Sequence, residues 1–340
     1  MGSCVWNVAV MFGGTSMERD VSVASAAQVI RALRARGHTV TALDAASGIL
    51  SRTTEAAVLK EAVERRPPEK IAATDDRIIA ELISAGAFDD FDLVFLALHG
   101  GAGENGTVQQ LLGAAGICFT GTGAASSAMA MDKNRSKQLF RAAGIATADW
   151  VMAADAQSDA IEMLGMPLIV KPNAQGSTVG LTLVRQADEL DAAIALAQQF
   201  DAEVMLERYV PGRELTVGVL DGTALSVGEI IPAHGGLFDY ASKYQSGGAE
   251  EVFPAQVDAN TAARAQQLAE RSNDVLAIEC YCRVDFRLDP AGELWCLEAN
   301  TLPGLTSGSL LPRSAAASGI DFESLCERIC ELALAKQAQR

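Results

Sequence analysis

The sequence predicts a mixed α/β protein in which an open parallel sheet is followed by antiparallel sheets. Three observations lead to this fold class. In the first third of the chain, short apolar runs alternate with segments of helical periodicity, a pattern typical of a parallel sheet covered by helices. In the last third, strand-like segments follow one another in pairs, as in antiparallel hairpins. With 340 residues, of which 49% are hydrophobic, the chain is long enough to form two or three cores.

The first third of the chain shows strands and helices in alternation. A buried strand is recognised by a continuous apolar run, and a helix by apolar residues three and four positions apart. Residues 46–85 are expected to be mostly helical or loop-like. Because ligands bind at the carboxyl ends of parallel strands, we expect a binding site at that edge of the sheet. The predicted elements are strands at 8–12, 40–43 and 92–98 and helices at 21–36 and 108–115.

The rest of the chain is predicted to form a small α+β unit and then a larger antiparallel sheet. The strands are expected at 168–171, 181–184 and 204–207 in the small unit and at 214–220, 225–231, 282–288 and 294–298 in the larger sheet. Helices are expected at 136–143, 254–275 and 322–335. These elements divide the chain into an N-terminal domain at 1–121, a small central domain at 122–208 and a C-terminal domain at 209–340.

Charge and composition exclude several classes of partner. The chain has 27 Lys and Arg against 43 Asp and Glu, a formal net charge of −16. Nucleic-acid binding and membrane-surface binding both depend on clustered basic residues, so neither is expected. No apolar run approaches the roughly 20 residues that span a bilayer, and the N-terminus lacks the basic segment of a signal peptide. With seven cysteines and no CxxC pair, the composition predicts a cytoplasmic protein.

Two glycine-rich turns follow the first and third predicted strands. Residues 13–20 read Gly-Gly-Thr-Ser-Met-Glu-Arg-Asp, and such small residues let a ligand approach the free N–H groups of the next helix. A plain turn capped by Thr or Ser explains this segment about as well, although Glu18 could bind a substrate ammonium. Residues 99–107 contain four glycines directly after a buried strand, which favours binding over a bare loop. His99 is the histidine placed for function.

Two later loops have compositions suited to a nucleotide. Residues 171–180 combine Lys171 with two glycines and two hydroxyls between predicted strands, so their N–H groups can close over phosphates. A glycine-bearing hairpin turn without a ligand is the alternative. Residues 238–248 combine aromatic residues with Lys243 in a loop that ends in two glycines. An ordered active-site flap and an ordinary surface loop both fit this second composition.

A predicted hairpin near the C-terminus carries the most specific pattern. Glu298 and Asn300 lie two residues apart on a strand and therefore share a face, and Asp285 can lie opposite them. Hard oxygen donors of this kind suit Mg²⁺ that is shared with phosphates. Arg283 adds a cation that can face a developing anion. A solvated face is the ordinary explanation for strand carboxylates, but here apolar residues alternate with them and a Pro-Gly turn follows, so a metal site is favoured.

In this order along the chain, the five segments resemble the D-alanine–D-alanine ligase family, whose members have the ATP-grasp fold. The resemblance runs from Val8 to about Leu334. It implies a Rossmann-like (pre-ATP-grasp) N-terminal domain, a central ATP-grasp lid and a C-terminal catalytic domain. The implied reaction is the ATP-dependent joining of two D-alanine molecules through a D-alanyl phosphate, for peptidoglycan precursor synthesis. ATP and two Mg²⁺ (or Mn²⁺) ions are the implied cofactors, and a homodimer is the implied assembly.

The resemblance also implies roles for individual residues. Glu18 would hold the ammonium of the first D-alanine, Glu207 would bind the adenine amino group, and Glu214 the ribose hydroxyls. Lys243 would reach the γ-phosphate, and Tyr244 speaks against the branch that makes D-alanyl-D-lactate, where a histidine replaces it. The implied catalytic and substrate-binding residues are Glu18, His99, Ser177, Tyr244, Arg283, Gly304 and Ser309. The implied ATP-binding residues are Lys133, Lys171, Gly176, Ser177, Glu207, Tyr209, Val210, Glu214, Lys243 and Leu297, and the implied metal ligands are Asp285, Glu298 and Asn300.

The segment that would bind the second substrate departs from the family pattern. Arg283 and the Gly304 amide would stabilise the oxyanion, and Ser309 would contact the second carboxylate. Leu305 follows the glycine, and Gly308 stands where the family often has His or Tyr. A ligase of the same chemistry with another second amino acid, such as D-serine, is therefore an alternative. An ATP-grasp ligase outside cell-wall synthesis and a non-catalytic nucleotide-binding relative are the others.

Overall fold

The computed structural model describes residues 4–60, 75–233 and 248–339, and within these ranges the chain forms three β-sheets. The N-terminal sheet contains β1 (Asn7–Phe12), β2 (Thr39–Asp44), β3 (Gly48–Ile49) and β4 (Leu93–Leu96). The middle sheet contains β5 (Trp150–Met152), β6 (Leu168–Pro172), β7 (Thr182–Val184) and β8 (Val204–Arg208). The C-terminal sheet contains β9 (Arg213–Leu220), β10 (Thr223–Pro232), β11 (Ala249–Val252), β12 (Tyr281–Leu288) and β13 (Leu294–Asn300). Each sheet falls inside one predicted domain, and the exact domain boundaries stay a prediction.

The N-terminal sheet has the parallel centre that the sequence predicted. Its order is β3-β2-β1-β4, and both β2 and β4 pair with β1 in parallel. Residues 8–12 of β1 are completely buried, which requires cover on both faces. The two-residue β3 is antiparallel and was not predicted, because so short a strand has no periodicity to recognise. The helices of this region are α1 (Arg19–Ala35), α2 (Arg52–Val58), α3 (Asp75–Ser84) and α4 (Thr107–Ala114).

The middle sheet is antiparallel throughout and has the order β5-β8-β6-β7. The predicted β6–β7 hairpin is confirmed, and its connecting loop is the glycine-bearing segment that follows Pro172. Strand β5 was missed because its three residues are only partly buried. The predicted helix at 136–143 begins earlier, at Lys133, where Asp132 accepts a hydrogen bond from Arg135 N at 3.0 Å. The helices here are α5 (Ala124–Met131), α6 (Lys133–Ala142), α7 (Ala153–Ala156), α8 (Ala160–Leu164) and α9 (Leu190–Ala197).

The C-terminal sheet is the predicted larger antiparallel sheet, with the order β11-β10-β9-β12-β13. Its helices are α10 (Ala259–Val275), α11 (Leu310–Ala317) and α12 (Phe322–Gln337). The prediction that a helix starts at residue 254 was wrong, because the Asp258 side chain caps α10 by accepting from the N–H groups of Asn260 and Thr261. Helix α12 returns to the N-terminal sheet, where Leu325 and Ile329 join the same core as β1. Within the described ranges, no helix has both the length and the apolar character needed to span a membrane.

Candidate active site

A cleft lies between the β6–β7 hairpin and the C-terminal sheet. Twelve residues that the sequence singled out line it, drawn from α6, the β6–β7 hairpin and the strands from β8 to β13. They are Lys133, Lys171, Gly176, Ser177, Glu207, Tyr209, Val210, Glu214, Arg283, Asp285, Leu297 and Glu298. The fold therefore gathers segments that are far apart in the sequence.

The first glycine turn leads into Glu18, and its backbone N–H groups donate hydrogen bonds to side chains of the protein itself. Gly13 N donates to Ser22 Oγ at 2.7 Å, and Gly14 N donates to Asp44 Oδ1 at 3.2 Å. The residue at the N-cap position of the following helix is Glu18 rather than Thr15 or Ser16, and ligand contact by this turn stays a prediction. Its glycines form an internally bonded turn, while Glu18 at the helix start faces the loops that border the cleft.

Glu18 and Ser177 meet although 159 residues separate them, with Ser177 Oγ donating to Glu18 Oε1. Two glycines make this approach possible. A Cβ atom at Gly100 would lie 2.8 Å from Glu18 Oε2, and one at Gly176 would lie 3.0 Å from the same atom. Because both glycine-rich loops close on this carboxylate, any larger residue at these positions would displace it.

His99 holds the second glycine loop in place through both ring nitrogens. Its Nδ1 lies 2.9 Å from the carbonyl oxygen of Leu302, and its Nε2 lies 3.0 Å from Ser25 Oγ. Ser25 Oγ also accepts a hydrogen bond from Leu305 N at 3.2 Å. Substrate binding by His99 stays a prediction, and in the structure the imidazole makes these contacts within the protein. Its geometry assigns it to positioning the loop and the segment after β13.

The β12–β13 hairpin carries the predicted oxygen donors, and Asp285 lies directly opposite Glu298 as expected. Asp285 accepts hydrogen bonds from Thr216 Oγ1 at 2.7 Å and from Asn300 Nδ2 at 3.0 Å. Arg283 donates to both of its oxygens, through Nε at 2.9 Å and Nη2 at 2.8 Å. Arg283, Thr216 and Asn300 thus hold the Asp285 carboxylate in one orientation on the hairpin.

The donor set on this hairpin fits Mg²⁺. Two carboxylates and one side-chain amide provide oxygen atoms, the ligands that this ion takes. Among the described residues there is no cluster of three His, Cys, Asp or Glu. Lys133 Nζ lies 3.1 Å from Glu298 Oε2, which places a further cation beside the same group.

A β-bulge on this hairpin corrects one expectation. Alternation of strand side chains predicts that Leu297 lies on the opposite face from Glu298, although the family resemblance implies that it binds ATP. In the structure Asp285 pairs with Glu298 and Phe286 pairs with Cys296, so Leu297 is the extra residue and lines the cleft together with Glu298. The bulge therefore gives the cleft an apolar wall directly beside the predicted metal ligands.

Comparisons with known proteins show the family to which this chain belongs. The family model described as D-ala D-ala ligase N-terminus matches residues 7–122, and the model described as D-ala D-ala ligase C-terminus matches residues 139–331. The chain belongs to the D-alanine–D-alanine ligase family. The predicted ATP-grasp fold and ligase chemistry are therefore confirmed at the level of this family.

Three similar proteins show how far the family likeness extends. A D-alanine–D-alanine ligase from Synechococcus sp. (strain JA-3-3Ab) is 39% identical over 336 residues, which cover 98% of this chain and 95% of that protein. The ligase of Bacillus anthracis, solved in complex with ATP, matches with a TM-score of 0.78 and 30% identity, covering 98% of this chain and 99% of that one. The VanG D-Ala:D-Ser ligase of Enterococcus faecalis also matches at 0.78 and 30%, covering 97% and 100%.

Lys137 is a residue of the site that the sequence did not reveal. It was read as part of a linking helix, yet its side chain is completely buried and its ammonium donates to Glu207 Oε2 at 2.5 Å. Lys171 donates to Glu207 Oε1 at 2.8 Å, so two lysines hold one carboxylate. Burial would raise the pKa of Glu207, but attraction to Lys137 and Lys171 outweighs it and lowers the pKa to about 2. The signal available in the sequence was spacing, because Lys133 and Lys137 lie one helical turn apart.

In the segment that follows β13, Gly304 lies close to Ser309. A Cβ atom at Gly304 would lie 2.9 Å from Ser309 Oγ, and that hydroxyl is 2.8 Å from Thr306 Oγ1. Ser309 is also the residue from which α11 begins, so the N-terminal end of a helix faces the same segment. Lys243 and Tyr244, together with the other residues from 238 to 247 of the predicted flap at 238–248, lie outside the described residues.

Proposed function

We propose that this protein joins two D-alanine molecules to D-alanyl-D-alanine while ATP is converted to ADP and phosphate. The observation that carries the proposal is the junction made by Lys133. Its ammonium donates to the carbonyl oxygen of Gln175 at 2.7 Å and lies 3.1 Å from Glu298 Oε2. The loop that bonds Glu18 through Ser177 is thereby held against the hairpin that carries the metal ligands. An amino acid held at Glu18 and a phosphate held at the hairpin would then be neighbours.

The reaction has two steps. A carboxylate oxygen of the first D-alanine attacks the γ-phosphorus of ATP, the bond to ADP breaks, and D-alanyl phosphate forms. The amine of the second D-alanine, after losing a proton, attacks the carbonyl carbon and phosphate leaves. Mg²⁺ bound to Asp285, Glu298 and Asn300 would supply charge neutralisation at the phosphates. The protein positions the reactants and balances negative charge, because two anions must approach each other.

The side chains divide these tasks in the proposal. Glu18 binds the ammonium of the first D-alanine, and Ser177 and Tyr244 are the pair assigned to hydrogen-bond with it. Arg283 and the Gly304 amide stabilise the oxyanion of the tetrahedral intermediate. The remaining assignments are Ser309 for the second carboxylate, Lys243 for the γ-phosphate, and Lys133, Lys171, Gly176, Glu207, Tyr209, Val210, Glu214 and Leu297 for ATP.

The test measures ATP-dependent phosphate release with D-alanine, D-serine, D-lactate and L-alanine, and identifies products by mass spectrometry. We expect release with D-alanine and formation of its dipeptide, and no release with L-alanine. A protein that is folded and binds ADP but shows no stimulation by D-alanine would refute the proposal.

A D-alanine–D-serine ligase is the second candidate. The VanG ligase named for that pair matches this chain with the same TM-score and identity as the Bacillus anthracis ligase. Leu305 and Gly308 also depart from the family pattern beside the second-substrate segment. The same panel decides between them, since a mixture of D-alanine and D-serine yields a mixed dipeptide only if the second subsite accepts the hydroxyl.

We further propose that the product serves peptidoglycan precursor synthesis in the cytoplasm and that the chain acts as a homodimer. Family membership supports these proposals. Light scattering of the purified protein tests the assembly, and a mass of one chain across the micromolar range would contradict it.

A further inference from the structure

The side chain of Lys137 is completely buried and contacts a residue that lines the cleft, Glu207. Lys137 on α6 donates to Glu207 Oε2 at 2.5 Å and to Thr147 Oγ1 at 2.7 Å, and its ammonium lies 5.0 Å from the centre of the Trp150 ring. Glu207 and Lys171 line the cleft, whereas Lys137 contacts Glu207 from the side away from it. Lys137 is therefore placed to act on a bound ligand through Glu207.

Burial opposes the positive charge at this position. Burial lowers the pKa of Lys137, and repulsion by Lys171 adds to that effect, so that together they outweigh the attraction of Glu207. A lowered pKa means that the ammonium form costs folding free energy relative to the unfolded chain. An apolar side chain of similar length would fill the same space without that cost.

The consequence of the charge appears at Glu207. Attraction to Lys137 and Lys171 keeps this buried carboxyl ionised at neutral pH, and an ionised carboxylate accepts hydrogen bonds without donating any. The neighbouring wall of the cleft is apolar, with Val210 and Leu297, which suits a flat heterocycle. The 6-amino group of adenine donates a hydrogen bond, whereas the 6-oxo group of hypoxanthine or guanine accepts one. An ionised Glu207 matches the first and repels the second.

We propose that Lys137 is a positioning residue that sets the base preference of the cleft, because it holds Glu207 as a pure hydrogen-bond acceptor that selects 6-amino purines over 6-oxo purines. The inference rests on the proposed function in one respect, namely that ATP occupies this cleft with its base at Glu207. Lys137 itself contacts neither the base nor the phosphates.

The experiment compares kcat/KM for ATP with kcat/KM for ITP, whose base differs from adenine in carrying an oxo group at position 6. In Lys137→Met we expect the preference for ATP to fall about tenfold or more, mainly through a higher KM for ATP, since a charge-assisted hydrogen bond is weakened. Lys137→Arg keeps the charge and should retain most of the preference. Thr147→Val is the matched control, because it removes a neighbouring buried hydrogen bond without removing charge, and it should leave the ratio unchanged.

An unchanged ATP-to-ITP ratio in folded Lys137→Met would overturn the inference, as would an equal loss in Thr147→Val. Lys137→Gln provides a second uncharged variant if Lys137→Met yields little folded protein. Calorimetric Kd values for ADP and IDP give the base preference without turnover. If the wild-type protein shows no D-alanine-dependent turnover while these Kd values shift as expected, the proposed function fails and the role of Lys137 stands.

Discussion

The cleft contains two carboxylate sites, and the negative charge of each is balanced in a different way. Glu207 is 3% exposed, and both of its oxygens are held by lysines from inside the protein. On the β12–β13 hairpin the Glu298 side chain is 24% exposed, and Asp285 receives Arg283 from its own strand. The first site has its counter-charges built into the core. The second opens toward the solvent, where a metal ion and phosphates can reach it.

This difference indicates separate roles, ligand binding for Glu207 and catalysis for the β12–β13 hairpin. A carboxylate that is fully compensated by buried lysines has a fixed protonation state and a fixed orientation, which suits the binding of one particular group. A carboxylate with partly exposed cations can exchange those contacts for a metal ion and a substrate as the reaction proceeds. We therefore expect substitutions at the hairpin to reduce turnover and substitutions at Glu207 to reduce stability and base preference.

The largest effect is expected for Asp285→Asn. Loss of a metal ligand removes several kcal/mol of transition-state stabilisation, which corresponds to a decrease in kcat of about 10³-fold or more. Phosphate release at saturating ATP and D-alanine measures it. Asp221→Asn is the control, because Asp221 is an exposed aspartate paired with Arg328 at the surface. If Asp285→Asn retains more than a tenth of wild-type turnover, the hairpin is not the metal site.

The second effect is expected for Arg283→Ala, which should lower kcat by about 10²- to 10³-fold, as loss of one oxyanion donor does. Arg283→Lys should recover only part of the rate, since lysine cannot reproduce the two-oxygen contact that Arg283 makes with Asp285. Steady-state kinetics in D-alanine separate kcat from KM. A change confined to the KM for ATP would assign Arg283 to nucleotide binding instead.

The third effect concerns stability. Glu207→Gln leaves Lys137 and Lys171 buried without their anion, so the free energy of unfolding should fall by about 3 kcal/mol. Lys137→Met should cost little or no stability, because Glu207 keeps Lys171 as a partner and one charge is no longer buried. Urea denaturation measures both variants, and a greater loss in Lys137→Met than in Glu207→Gln would contradict this view of the site.

The contribution of Glu207 should also depend on pH. Because its pKa is lowered to about 2 in the folded protein, its stabilisation is fully present above the ordinary value of 4.5 and is lost as the pH falls toward 2. The stability difference between the wild type and Glu207→Gln should therefore shrink as the pH falls through this window. A difference that stays constant down to pH 2 would show that the charge of Glu207 is not the source of the stability.

The smallest effect is expected for Arg328→Ala. Arg328 and Asp221 pair at 3.1 Å, but their side chains are 49% and 58% exposed. Surface ion pairs of this kind contribute about 0–1 kcal/mol, so neither the denaturation midpoint nor turnover should change appreciably. A loss comparable to that in Glu207→Gln would mean that burial does not separate the two sites.

Local sequence patterns were sufficient where one property repeats along the chain. The apolar runs at residues 8–12 and 168–171 predicted buried strands, because few polar residues are tolerated in the middle of a covered sheet. Alternation predicted that Asp285 faces Glu298, since strand side chains repeat every second residue. Short or partly exposed strands such as β3, β5 and β11 were missed, because they carry too little apolar periodicity to be recognised.

The sequence by itself therefore determined the fold class, the family and the hairpin that carries the oxygen donors. Only the tertiary structure decided which distant groups meet: Ser177 at Glu18, Lys137 at Glu207, and Leu297 turned into the cleft by a bulge. The physical reason is the range of the interactions. Periodicity reflects contacts within one strand or helix, whereas the pairing of a buried charge depends on how separate sheets and helices pack around it.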